Sequence, residues 1–133
     1  MALVLRKSRR GFTLVEIMIV VALIALLATI AMPNYLRARK RAQASRILND
    51  LRVIDHAMVL WTADNAKKPG DVATLADLQG YMKPTDTPLY YQGLDLFGHS
   101  YEPFVSDVTP KVDPQTFAEL ELVAPAEFWS PYK

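Results

Sequence analysis

A chain of 133 residues, 51% hydrophobic and 22% charged, has room for one domain and one core. Its net charge of +1 conceals a split: Arg6, Lys7, Arg9 and Arg10 occupy a leader without acids, and all fourteen acids lie beyond it. That balance argues against a strongly basic nucleic-acid binder. The absence of cysteine excludes a disulfide framework, a thiolate zinc site and a cysteine nucleophile.

The first element is apolar. Between Phe12 and Met32 only Thr13, Glu16 and Thr29 are polar. At ~1.5 Å per residue that stretch covers about 30 Å, the hydrocarbon thickness of a bilayer. A cleavable secretory signal would have a shorter apolar core and small residues at a far-side cleavage site. Here the far side reads Met32-Pro33-Asn34-Tyr35-Leu36-Arg37. A buried core helix is the other alternative, but so small a domain could hardly surround a helix that is apolar on every face. The pattern therefore predicts a membrane span. The four basic residues before it are balanced by Arg37, Arg39, Lys40 and Arg41 after it, so the positive-inside rule returns a tie.

No glycine occurs between Phe12 and Pro69, and Pro33 is the only proline there. Ile47, Leu51, Ile54, Met58 and Trp61 recur at spacings of four and three, with Asn49, Arg52 and His56 on the opposite side. One long helix is predicted from about Phe12 to about Ala66, ended by Lys67-Lys68-Pro69-Gly70, with the lysines complementing its C-terminal dipole. Pro33 removes a backbone donor and should kink or loosen it.

The rest is broken by prolines. Thr74-Leu75-Ala76-Asp77 reads as a capping box, starting a short helix that carries Leu75, Leu78 and Met82 and closes near Gly80. Leu89-Tyr90-Tyr91 and Ser100 to Val105 read as strands joined by a turn around Gly98-His99. The alternation Glu119-Leu120-Glu121-Leu122 suggests a half-buried strand from Phe117 to Val123, and Phe128-Trp129 suggests an irregular but packed ending. The predicted fold is α+β: a long N-terminal helix packed on a small C-terminal head with a short antiparallel sheet.

A glycine ending a basic leader, then Phe12, then a lone glutamate at Glu16 inside an apolar span, is a specific constellation. It resembles the N-terminal type III signal of type IV pilins and type II secretion pseudopilins, over roughly residues 6 to 61. Pro33 and Tyr35 stand where many members have a proline and a tyrosine. Leu94 to Tyr101 is similar to the Asp-x-Trp-Gly-x-x-Tyr stretch of major pseudopilins, with Phe97 in place of tryptophan. The resemblance implies a leader at residues 1–11, a transmembrane helix half at 12–32, an amphipathic half at 33–66 and a head at 67–133. It implies cleavage between Gly11 and Phe12 by the prepilin peptidase, which then methylates the amine of Phe12. It implies an inner-membrane precursor with a cytoplasmic N-terminus and a head that is periplasmic or carried on an extracellular filament. The implied partners are that peptidase, further copies of the chain, related minor pilins, an assembly platform in the inner membrane and the lipid bilayer.

Residue chemistry supports parts of this. Gly11 lacks a Cβ, which lets an extended leader approach an enzyme closely. Glu16 has no basic residue within its own span, and an acid there costs on the order of 2.5–3.5 kcal/mol unless partnered. The amine released at Phe12, on this chain or a neighbour, is the cation it would meet. Glu16 is the assembly residue on this reading, and the resemblance implies Pro33 as a second. No catalytic motif accompanies His56 or His99, and the reading is non-enzymatic. No cofactor is predicted, although Asp86, Asp95, Asp107 and Asp113 are loop acids, of which Asp95 and Asp107 are the calcium candidates. A filament subunit is the favoured function; the alternative is a monomeric, membrane-anchored binding domain that keeps its leader.

Overall fold

The computed structural model describes residues 11–133, so leader residues 1–10 lie outside the described part. Element α1 is a helix over Leu14–Asp64, 51 residues with Pro33 inside it. The chain divides into two compact units, the first ending at Leu36 and the second running from Arg37 to Lys133. In the first unit every described residue is exposed. Helical structure persists through Pro33, where the Asn34 side-chain amide donates to the Ile30 carbonyl at 3.4 Å.

The second unit holds the core. Ala44, Ile47, Leu51, Ile54, Ala57, Met58 and Trp61 form the buried stripe of α1, while Asn49, Arg52 and His56 are exposed. The periodicity expected from the sequence is borne out. The helix ends as the spacing suggests but by different chemistry. Ala66 takes a left-handed φ of 47°, and the Lys67 N–H reaches back to the Thr62 carbonyl at 3.1 Å, closing a Schellman-type end. The last turn contains no basic residue, and Lys67 Nζ lies over the Trp61 ring, 5.0 Å from its centroid.

Against this stripe pack β1 (Val72–Ala73), α2 (Leu75–Gln79), α3 (Pro88–Gln92), β2 (Phe104–Val105), α4 (Pro114–Leu120) and a 3-10 turn over Ala126–Trp129. Strands β1 and β2 pair antiparallel, Val72 opposite Val105 and Ala73 opposite Phe104. The α+β class with a small antiparallel sheet is therefore as predicted. The capping box of α2 is present, with the Thr74 N–H and hydroxyl donating to Asp77 at 2.8 and 2.7 Å. Trp129 is fully buried and donates its indole N–H to the Ala124 carbonyl at 2.9 Å, so the ending is packed, as a 3-10 turn.

Two predicted strands are helices. Leu89-Tyr90-Tyr91 forms α3, because Thr87 caps it, Pro88 occupies the first turn and Gly93 at φ 66° ends it. Phe117 to Val123 is not a strand either. Asp113 accepts from the Gln115 N–H at 2.8 Å, Pro114 follows, and α4 runs to Leu120. In a strand Leu120 and Leu122 would share a face; here Leu120 is fully buried and Leu122 is 97% exposed. Of Ser100 to Val105 only Phe104–Val105 is strand, with Ser100 forming an isolated antiparallel bridge to Leu94 across the expected turn.

Candidate processing and assembly site

The junction lies just outside α1. Gly11 and Phe12 precede the helix, both exposed, and a Cβ built on Gly11 would meet no atom within 4 Å. Thr13 caps the helix. Its N–H and hydroxyl donate to Glu16 Oε2 at 2.8 and 3.0 Å, and the Glu16 N–H donates to the Thr13 hydroxyl at 3.2 Å. This is a reciprocal capping box. It gives Glu16 a partner within its own chain, in addition to any cation it meets elsewhere. The sequence reading missed it, although the spacing Thr-x-x-Glu at 13–16 was the signal.

From Phe12 to Leu36 the large apolar side chains are 47–86% exposed, and no residue of the most apolar stretch is buried. Such a surface requires a covering of lipid or of other helices. Pro33 contributes no N–H to the Thr29 carbonyl one turn earlier, near the end of the apolar stretch.

The head holds no comparable constellation. Asp95, 3% exposed, organises the turn at 94–100: its Oδ1 accepts from the N–H groups of Phe97 and His99 at 2.8 and 2.9 Å, and its Oδ2 accepts from the Thr116 hydroxyl. His99 Nδ1 lies 2.7 Å from that hydroxyl and 3.8 Å from Asp113. Both oxygens of Asp95 thus accept hydrogen bonds from protein donors. Asp107 is exposed in a turn at φ 66°. Among the described residues no three His, Asp or Glu side chains converge. His99 and Ser100 do not pair: the Ser100 hydroxyl accepts from the Glu102 N–H at 3.1 Å. On the buried side of α1, burial pushes the Asp50 carboxyl up from its ordinary value, against the opposing hydrogen bond from the Tyr101 hydroxyl at 3.4 Å.

A naked apolar helix with an accessible junction at its start, leading into a small folded head, defines a membrane-anchored helix-and-head protein. Residues 6–32 match the prokaryotic N-terminal methylation motif. The type IV wide pilus major component of Thermus thermophilus is 32% identical over 95 residues, covering 71% of each chain. The type II secretion system core protein G of Klebsiella michiganensis is 33% identical over 64 residues, 48% of this chain and 45% of that protein. The same-named protein of Dickeya chrysanthemi is 29% identical over 84 residues. No solved structure matches. The chain belongs to the type IV pilin and type II secretion pseudopilin family. It spans about half the length of the secretion relatives it matches.

Proposed function

We propose that this chain is a structural, non-enzymatic subunit of a helical filament, a secretion pseudopilus or a type IV pilus. The observation that carries this is the helix from Leu14 to Leu36, bare on every side and led by an accessible Gly11–Phe12 bond. In the precursor, lipid covers it, with the leader in the cytoplasm and the head across the inner membrane. The prepilin peptidase cuts between Gly11 and Phe12 and methylates the new amine. In the filament, neighbouring copies replace lipid around the helix, and minor pilins and an inner-membrane platform take part in assembly. The pairing of Glu16 with the amine of Phe12 fixes axial register between subunits, as a buried polar group does in a coiled coil.

Mass spectrometry of the protein from its native membranes tests this. A chain beginning at N-methylated Phe12 supports the reading. A chain retaining Met1 would end it and favour the monomeric anchored domain.

A further inference from the structure

Leu122 is more exposed than any other large apolar side chain among the described residues. It is held out by a braced turn, in which the N–H groups of Val123 and Ala124 both donate to the Leu120 carbonyl, at 2.9 and 2.8 Å. Beside it a shallow cleft of about 460 Å³ is lined by Arg37, Ala38, Arg41, Leu122 and Val123. Arg37 and Arg41 stand one helical turn apart on the same face of α1. Neither pairs with a carboxylate among the described residues, where His99 alone makes ion contacts. Lys40 ties the two segments together by donating to the Glu119 carbonyl at 3.3 Å.

We propose that this cleft and the Leu122 turn form a docking surface for phospholipid headgroups of the bilayer that the helix crosses. The inference rests on the membrane-span reading and goes beyond it, because it gives the folded head its own lipid contact. Continuity of the chain supplies the location. Arg37 follows Leu36 directly, and along a helix it lies about 8 Å from Met32 at ~1.5 Å per residue. The headgroup layer occupies roughly 5–8 Å on each side of the hydrocarbon, so Arg37 reaches it and Arg41 reaches back toward it through its long side chain. The two guanidiniums match lipid phosphate, an exposed leucine beside them matches the acyl boundary, and the exposed Glu119 and Glu121 match ethanolamine ammonium groups. Docking would hold the head against the membrane until assembly.

The absence of cysteine makes the test direct. Full-length Leu122→Cys and, as a control on another exposed position, Tyr91→Cys are labelled with an environment-sensitive fluorophore. Both are reconstituted at high lipid-to-protein ratio into phosphatidylethanolamine–phosphatidylglycerol vesicles, with and without nitroxide lipids. The label at 122 should shift to the blue and be quenched by the nitroxide, while the label at 91 should not. Adding Arg37→Gln and Arg41→Gln should weaken docking roughly 25-fold, about fivefold for each arginine near an anionic surface. Water-like emission at 122 in vesicles that carry the protein would overturn the docking and leave the anchor intact. A shift seen only at high protein density, unquenched by lipid nitroxide, would also overturn it and assign the surface to a second copy. Failure of the protein to float with vesicles would overturn the anchor and the docking together.

Discussion

The capping contact of Glu16 and its proposed pairing with the amine of Phe12 can be separated by a single pair of substitutions. In the chain Glu16 accepts hydrogen bonds from the Thr13 N–H and hydroxyl at 2.8 and 3.0 Å, which a glutamine oxygen can also accept. Glu16→Gln therefore preserves the cap while deleting the charge, and removes the on the order of 2.5–3.5 kcal/mol that an acid costs within a bilayer. Thr13→Val does the reverse, giving up about 0.5–2 kcal/mol of cap while keeping the carboxylate. If the charge pairs with the amine of Phe12 during assembly, Glu16→Gln should insert, be cut and be methylated normally, yet yield few filaments. Thr13→Val should still assemble. Gel mobility reads cleavage, mass spectrometry reads methylation, and filament yield is read from the sheared surface fraction or by electron microscopy. Filaments of Glu16→Gln at wild-type yield would refute the pairing. Loss of filaments from Thr13→Val as complete as from Glu16→Gln would show that helix capping, not charge, is what assembly requires.

Gly11→Leu should accumulate as an uncut, membrane-inserted precursor on immunoblots, because bulk at an accessible junction obstructs the peptidase. Ala66→Gly should stabilise the head by roughly 0.5–1 kcal/mol in denaturant titrations, since Ala66 holds a left-handed φ of 47° that glycine adopts without strain. Asp50→Asn should raise the melting temperature at neutral pH. Burial lifts the folded-state pKa of Asp50 above its unfolded value, so ionisation weakens the fold above that pKa, and stability returns as pH falls through it. The advantage of Asp50→Asn should therefore shrink as pH is lowered toward about 4, and a difference independent of pH would point to another cause.

The long helix was legible because two periodic rules act on it without competition: unbroken apolarity up to Met32, then a four-three stripe from Ile47 to Trp61. The box at Thr74 was legible for the same reason, since caps act locally. The errors in the head arose where composition and caps disagree. Leu89-Tyr90-Tyr91 has strand-like composition, yet Thr87, Pro88 and Gly93 enclose a span that only a short helix satisfies. Glu119 to Leu122 alternates like a strand, but Asp113-Pro114 starts a helix that ends at Leu120, and Glu121-Leu122 follow as a turn. The Asp95–Thr116 contact was not legible at all, because it joins residues 21 apart and no local pattern encodes it. At Glu16 the charge of an acid in an apolar run points to a cation, while its spacing from Thr13 already offers a neutral donor set.

The exposure of α1 constrains how such a subunit can move. Sixteen large apolar side chains from Phe12 to Leu36 lie 47–86% open. Burying one fully stabilises by about 1.5–3 kcal/mol, so leaving all sixteen in water at these exposures would cost roughly 15–30 kcal/mol. A whole domain is stable by only about 5–15 kcal/mol. No folding energy in the head could offset that, and a subunit free in water is not an accessible intermediate. The helix must pass directly from lipid to a groove formed by other helices, one apolar covering replacing the other as it leaves. Because the two coverings are similarly apolar, the transfer itself supplies little driving force. Polar groups would then decide the outcome: on the proposed pairing Glu16 gains the amine of a neighbouring Phe12 in the filament, and on the proposed docking Arg37 and Arg41 give up lipid phosphate to reach it. Assembly on this reading is an exchange of partners between nearly matched states, which makes it reversible by small changes in charge and dependent on work from outside the subunit for its direction.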